Sequence, residues 1–392
     1  MVPMKRNLIL FFLLCSSLLS SQISEEASIS LLTIAHGDQL YNIFGHTAVR
    51  VSDPANDIDD VYNYGTFSTS TDHFMLKFLR GRLLYSLDKG PYSSFLRNYS
   101  NEGRAVTEQV LNLTPEQKNK VYAFIINNYE LENRHYLYDF FFDNCASRVR
   151  DIYESQIPVL SYEDQAPSCK TFRQLLDEHL VGLDWLDLGI DLIIGSVADE
   201  RANPRTEMFL PRYLKSWTAK MQLIGDSGQA EPLVKSERLV LPITIIQHKS
   251  YWITPIRLFY FLLLLEMGLF LMRKRISARF SYWYDGIWYV ILSAASVIIA
   301  FMWFGTDHDA CAKNYNLLWA NPLFIILTWL HFKHRPAKLL LSILFLFQLS
   351  AMLFWPILPQ QLHPAVLPIL IIIYLKIVKG ISYKKQPLMN NV

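Results

Sequence analysis

Cysteine is scarce in this sequence. Its 392 residues include four, and the first, Cys15, lies in an apolar N-terminal stretch. Among Cys145, Cys169 and Cys311, one pairing needs weighing in the first half of the chain: Cys145 with Cys169. Net charge is small as well, with 37 Lys and Arg against 35 Asp and Glu, a balance of +2. Such a total argues neither for nor against nucleic acid; the local placement of basic residues tells more, and no nucleic-acid partner is expected. The first half has no internal repeat and no low-complexity segment. What is abundant is apolar character: 51% of the residues are hydrophobic, which suggests that part of the chain sits in a membrane.

The sequence begins "MVPMKRNLILFFLLCSSLLSSQIS". Lys5 and Arg6 are a short basic region, Asn7 to Leu19 is apolar but short for a span, and Ser20 and Ser21 are small. This pattern predicts a secretory signal peptide over residues 1–21, cut before Gln22. An uncleaved anchor is the alternative, and either places the next segment outside the cytoplasm. Cys15 has no small residue before it and reads as signal-peptide filler.

Two halves of different physics follow. Residues 22–250 have the mixed composition of a soluble domain. Residues 251–392 hold five strongly apolar stretches: Ile256–Met272, Ile287–Phe304, Leu317–Phe332, Leu339–Ile357 and Ala365–Val378. Each is long enough, or nearly so, for a helix crossing a core of about 30 Å. The last carries Pro368 and Lys376. Basic residues cluster in "RKRISAR" (Arg273–Arg279), in "KHRPAK" (Lys333–Lys338) and at Lys376, Lys379, Lys384 and Lys385. The alternate loops, Gly305–Asn316 and Pro359–Pro364, carry only Lys313. Basic loops face the cytoplasm, so the domain before the first stretch is expected outside. That agrees with the signal peptide by an independent route. Glu266 falls inside the first stretch, where a partner on another helix or a snorkelling side chain is weighed against a chemical role; no catalytic role is assigned to it.

The outer domain reads as α+β. "HTAVRVSD" alternates in period two and predicts a strand; "VYNYGTF" predicts the next, and "AVTEQVLNL" a third. Thr114-Pro115-Glu116-Gln117 is a helix start with a cap, a first-turn proline and a Gln three beyond the cap, and the helix is expected to reach about Tyr129. A second helix is expected beside Cys145, where Ala146, Val149, Ile152 and Tyr153 form an apolar stripe. "GSVADERANPRTE" (Gly195–Glu207) reads as a loop.

Cys145 follows Asp143-Asn144 at this helix start. Helix N-termini favour the thiolate, the useful nucleophile. A neighbouring histidine takes up and returns the proton. The best-placed histidine is His46, at the entry of a strand after Gly45, and backbone amides at the start of the cysteine helix would suit an oxyanion. Histidine on a strand, then cysteine on a helix, is the order of a circularly permuted papain-like site. Two bland readings stand beside it: a structural disulfide to Cys169 and an ordinary strand-end histidine. His36, His73, His135 and His179 have weaker contexts.

A resemblance rests on "IFGHTAVRVSDP", "VYNYGTF", "FLRGRLLYSL", "EQVLNLT", "ENRHYLYDFFFDNCASRVRDIYE", "TFRQLLDEHL", "DLGIDLIIGSVADERA" and "MFLPRYL", with "TDHDACAKNYNLLWANP" beyond the first apolar stretch. In this order the blocks resemble a Bacteroidota membrane-bound family, formerly a domain of unknown function, that is associated with lipoprotein N-acylation. They cover most of Leu32 to Leu214. The resemblance implies a permuted papain-like (NlpC/P60-like) outer domain, a bundle of five transmembrane helices, and an inner-membrane location with the catalytic domain on the periplasmic side. It implies that Cys145 takes an acyl chain from a phospholipid as a thioester, with His46 as base. The α-amino group of a diacylated lipoprotein would then accept the chain. No cofactor is implied. A membrane-anchored thiol hydrolase and a non-enzymatic exported interaction domain are the alternatives.

Supporting roles are assigned more loosely. Asn144 would orient a neighbour or cap the helix, and Tyr64 would face the imidazole. Arg50 and Arg148 would hold a phosphate. Asp307 and His308, with Asp309 and Cys311, contain metal-ligand types, but the spacing matches no strong metal motif and no metal is expected; a role near the lipid or lipoprotein entrance is the alternative to a plain outer loop.

Overall fold

The structure, a computed structural model, describes residues 22–39, 41–159, 170–224, 228–242 and 252–382. The expected signal peptide and Cys169 lie outside the described residues. The chain forms two compact units: Met1–Phe78, Arg82–Cys169 and Ala202–Gln247 in the first, and Leu79–Gly81, Lys170–Arg201 and His248–Val392 in the second.

The first unit is α+β. Its elements begin with β1 (Ser28–Ile34), β2 (His46–Asp53), β3 (Ile58–Thr66), α1 (Phe74–Leu79), β4 (Leu84–Pro91), α2 (Tyr92–Asn101), β5 (Val106–Leu111), α3 (Pro115–Tyr129), β6 (His135–Leu137) and α4 (Cys145–Gln156). The chain passes through the second unit as α5 (Phe172–Asp177) and α6 (Asp184–Ile193). It returns with α7 (Pro204–Glu207), α8 (Pro211–Thr218), β7 (Gln222–Ile224), β8 (Ala230–Pro232) and β9 (Val234–Leu241). Seven strands make one antiparallel sheet in the order β6-β4-β3-β2-β1-β5-β9.

Alternation along the strands feeds two cores. Ile29, Leu31, Val49, Val51, Tyr62 and Tyr64 pack with Val121 and Ile125 of α3 and Val149, Ile152 and Tyr153 of α4. Their sequence neighbours Leu32, Ile34, Ala48 and Val61 pack with Tyr92 and Phe95 of α2. With both faces covered, β1 is buried along almost its whole length, Ser30 and Thr33 included. The three expected strands form as β2, β3 and β5. Helix α3 starts as its sequence dictates: Thr114 and Gln117 form a reciprocal capping box, with Pro115 in the first turn. The Gly195–Glu207 segment is more ordered than a plain loop. It holds a 3-10 turn at Ser196–Asp199 and the short α7, whose start is fixed by an Asn203–Thr206 capping box and Pro204.

The second unit holds α9 (Pro255–Leu271), α10 (Ala278–Phe304), α11 (Leu323–Phe332), α12 (Lys338–Leu353) and α13 (Val366–Ser382). Each coincides with one of the five apolar stretches. Leu292, Phe324, Leu344 and Leu370, from four of these helices, share one apolar core. Among the described residues, α10, with 27 residues, is long and apolar enough to cross a membrane by itself. Helix α11 has ten residues, about 15 Å at 1.5 Å per residue; the start of its apolar stretch is taken by a 3-10 turn, Tyr315–Leu318. Glu266 finds its partner on another helix: Lys376 Nζ lies 3.1 Å from its carboxylate and 3.1 Å from Asp285, and Tyr284 donates to it at 2.9 Å. Such pairing offsets the cost of burying the charges.

Helix α6 belongs to this second unit because side-chain amides cap its C-terminal carbonyls. Asn314 donates to the Leu192 and Ile193 oxygens at 2.9 Å, Asn316 to Asp191 O at 3.0 Å, and Gln360 to Ile194 O at 3.0 Å. These are the acceptors a helix end otherwise leaves bare. Arg173 of α5 ties the same segment together through Asp191 and Asp199.

Candidate functional site

Helix α4 begins at Cys145, and local chemistry fixes that start. Asn144 Oδ1 accepts from the Ala146 and Ser147 N–H groups at 2.8 and 3.0 Å, while Ser147 Oγ accepts from Asn144 N–H at 2.8 Å. Its amide donates to Phe140 O and Phe209 O at 2.8 and 2.9 Å. Asn144 is therefore a buried helix cap, one of the two roles weighed for it. The cap uses the second and third N–H groups of the helix; the Cys145 N–H is at the first position, where no intrahelical acceptor exists.

Cys145 is a free thiol, 8% exposed. Its sulfur is hydrogen-bonded to the His46 side chain and to the N–H groups of Thr47 and Ala146. Burial pushes the thiol up, but the His46 charge and hydrogen bond and the two N–H groups outweigh it, so the thiol is held below its ordinary value. For His46, burial pushes the imidazole down. The Cys145 charge and hydrogen bond, with a hydrogen bond to Asn63, outweigh burial and the opposing charge of Arg104, and the imidazole is raised. Both shifts favour a thiolate beside an imidazolium.

Two glycines make room for this pair. Gly45 has φ +81, and a Cβ there would meet Ile34 O at 2.8 Å; only glycine lets the chain approach so closely before His46. Gly65 has φ +89 and lies where the β3–β4 register shifts, between Tyr64 and Thr66. A Cβ on Gly65 would lie 3.6 Å from Cys145 Cβ, 3.9 Å from the Tyr136 hydroxyl and 4.0 Å from His46 Cε1. Cysteine, histidine and tyrosine thus surround one bare patch of backbone.

Two residues of this cluster escaped the sequence reading. Asn63 Oδ1 is hydrogen-bonded to His46 Nε2, which leaves Nδ1 for the sulfur. Carrying the Val49↔Tyr62 pairing forward sets His46 opposite Gly65, and Asn63, two residues from Gly65, shares their face. The signal was strand parity, and the sequence reading took Tyr64 instead. Tyr136 sits on β6, opposite Tyr85 of β4. It is 7% exposed, and its buried hydroxyl has no hydrogen-bond partner among the described residues. The Arg148 guanidinium lies 3.6 Å from its ring centroid.

The looser candidates are placed elsewhere. Tyr64 points to the opposite face and accepts from Asn128 Nδ2 at 3.3 Å within the core, so it does not face the imidazole; burial pushes its hydroxyl up to about 12. Arg50 is bound to Asp59 at 2.7 Å and Glu108 at 2.9 Å and lies over Tyr92. Arg148 makes two hydrogen bonds to Asp143, at 2.6 and 2.7 Å. Both guanidiniums are thus held by carboxylates, not presented as phosphate clamps. Asp307 and His308 lie in the second unit, packed on the Arg80–Gly81 turn, with Asp307 N–H donating to Arg80 O at 2.9 Å.

One carboxylate group among the described residues has metal-like spacing. Asp177, Asp187 and Asp191 each offer an oxygen within 4.8 Å of the others. Arg173 binds Asp191, so a protein cation already answers part of this charge, and His363 Nε2 is 3.3 Å from Asp187.

Comparison with family models matches residues 18–178 to the Lnb N-terminal periplasmic domain and residues 247–386 to the Lnb transmembrane domain. Comparison with curated proteins and with solved structures gave no match. The first matched segment contains His46, Asn63, Tyr136 and Cys145.

Proposed function

The chain belongs to the Lnb family, with a periplasmic domain and a transmembrane domain, and from that premise we propose that it is a lipoprotein N-acyltransferase of the inner membrane. The observation that carries the reading is the hydrogen-bonded Cys145–His46 pair, with Asn63 behind the imidazole. Histidine on a strand and cysteine at a following helix start make the site permuted papain-like in order. Residues 22–250 are read as the periplasmic catalytic domain and residues 251–392 as five membrane helices.

In the first half-reaction the Cys145 thiolate attacks the carbonyl carbon of a phospholipid acyl ester. The carbon–sulfur bond forms, the ester carbon–oxygen bond breaks, and His46 gives its proton to the departing lysophospholipid oxygen. In the second, the free α-amino group of a diacylated lipoprotein attacks the thioester. A carbon–nitrogen bond forms, the sulfur leaves as thiolate, and His46 takes the amine proton. Each half-reaction passes through an oxyanion. The Cys145 N–H, at the first position of the helix, and the Tyr136 hydroxyl, without a partner among the described residues, are the donors that would serve it. Asn63 is a positioning residue that keeps Nδ1 aimed at sulfur. Donor and acceptor both carry chains in a bilayer, which is what a membrane domain on the same polypeptide serves; a soluble cell-wall substrate has no such need.

The test is the N-terminus of the lipoproteins. Cells that lack the protein and any paralogue are expected to accumulate lipoproteins with a free α-amino group. Complementation restores N-acylation, and Cys145→Ser or His46→Ala does not. Mass spectra with unchanged N-acylation after deletion overturn the proposal. Purified protein that clips muropeptides and never acylates a lipopeptide turns the reading to the hydrolase.

A further inference from the structure

The connection between β3 and β4 leaves the sheet after Thr66, one residue beyond Gly65 of the site, and it carries α1 with the sequence FMLKFL. Five of those six residues are large and apolar, yet none is buried. Met75 is 63% exposed and Leu76 53%. A soluble domain rarely shows such a cluster without a use for it. Leu84 and Leu137, paired across β4 and β6, are exposed apolar side chains as well. Lys77 lies within α1 and Arg82 just after it, with the Arg82 N–H bonded to Lys77 O at 2.8 Å. Apolar side chains bordered by cations are the composition of an element that lies in a bilayer interface, chains down and charges at the phosphates.

A continuous aromatic path joins this surface to the thiol. Phe78 stacks on Phe74 at 6.1 Å, Phe74 on Phe67 at 5.9 Å, and Phe67 meets Tyr85 edge-on at 5.3 Å. Tyr85 lies 6.5 Å from Tyr136, whose hydroxyl is at the site. The run of rings begins at exposed side chains and ends beside Cys145.

We propose that α1 dips into the periplasmic leaflet of the membrane and that the Phe78-to-Tyr136 path seats the acyl chain of a phospholipid, bringing its ester to Cys145. This deepens the acyl-transfer reading and rests on it for the identity of the ester. The occupant is a phospholipid rather than a second protein because the chain carries its own transmembrane domain and because Lys77, among these apolar side chains, complements a phosphate headgroup.

The experiment uses the full chain reconstituted in vesicles of phosphatidylethanolamine with a minor share of phosphatidylglycerol. A fluorescent non-canonical amino acid replaces Met75, and in a control Leu239 on β9, the far edge of the sheet. Lipids brominated near the carbonyl end of the acyl chain are expected to quench the probe at 75 and not at 239. Separately, the Met75→Asp, Leu76→Asp double variant is expected to form the Cys145 acyl-enzyme from the same vesicles about a hundredfold more slowly or worse, the factor that two lost apolar transfers predict. Cys145 alkylation by iodoacetamide reports that its fold is kept. No quenching at 75, equal quenching at both positions, or undiminished acyl-enzyme formation in an alkylatable double variant overturns the proposal. If the parent protein is quenched at 75 and its Cys145 never gains an acyl mass, the membrane seat is supported and the acyl-transfer reading fails.

Discussion

The Nε2 of His46 is held by the side-chain oxygen of Asn63, and this single contact decides which face of the imidazole meets Cys145. The amide oxygen can only accept, so Nε2 carries the proton and Nδ1 is the nitrogen that exchanges one with sulfur. Asn63→Ala is therefore expected to lower kcat for acyl transfer by up to about 100-fold, the scale of a misaligned catalytic group. KM for the lipopeptide is expected to hold. Asn63→Asp, which keeps an acceptor, should recover much of the loss. Equal loss in both variants, or a loss confined to KM, would remove Asn63 from its positioning role.

The two pKa shifts at the site have opposite signs and one consequence. Cys145 is held below the ordinary thiol value of 9.0 and His46 above the ordinary imidazole value of 6.5. Both shifts favour the ion pair, and thiolate is gained from the acid side of a free thiol. Alkylation of Cys145 by iodoacetamide should stay fast well below pH 9.0. In His46→Ala the inflection moves back toward the free-thiol value, with a drop of roughly tenfold or more near neutrality. A parent profile that coincides with a free thiol would contradict the pairing.

Tyr136 offers a buried hydroxyl with no hydrogen-bond partner among the described residues. Arg148 over its ring withdraws electron density, which makes the phenol a better donor. Tyr136→Phe keeps the ring and loses only the donor, so kcat should fall by about 10²–10³, as for removal of one oxyanion donor. The pH profile of Cys145 alkylation should not move, because the thiolate itself does not depend on Tyr136. Unchanged kcat would leave the Tyr136 hydroxyl without a chemical role.

Asp177 gives a separate, structural test. Burial, then the charges of Asp191 and Asp187, push it up to about 7 from 3.8. A carboxyl raised on folding binds more protons folded than unfolded between those values. Its stabilising contribution is complete below about pH 4 and is lost as the pH rises through about 7. Thermal unfolding of the purified full chain in detergent should therefore show a fall in stability between pH 5 and pH 8 that flattens in Asp177→Asn. Parallel curves for the two proteins would exclude this assignment.

The start of α4 was legible because it is a local matter. Asn144, Cys145 and Ser147 lie within one turn, and the capping box that frames the cysteine closes within three residues. The same holds for Thr114 and Gln117. The register was not legible. Tyr64 is one residue from Asn63, and choosing between them requires knowing which strand residue lies opposite His46, a pairing that spans about twenty residues and is set by the whole sheet. Arg50 was assigned a phosphate because its partners Asp59 and Glu108 come from two other strands.

By itself the sequence determined what acts over a few residues: alternation in the strands, caps at the helix starts, the five apolar stretches, and a cysteine at an N-terminus. The tertiary structure alone decided which side chains stand together around Gly65, that Tyr136 comes to Cys145 by pairing β6 with β4, and that residues 170–201 pack with the later helices. Local order follows from backbone sterics and neighbouring hydrogen bonds. Company across the sheet follows from strand pairing, and its loop-closure entropy is offset only by the packing of the assembled core.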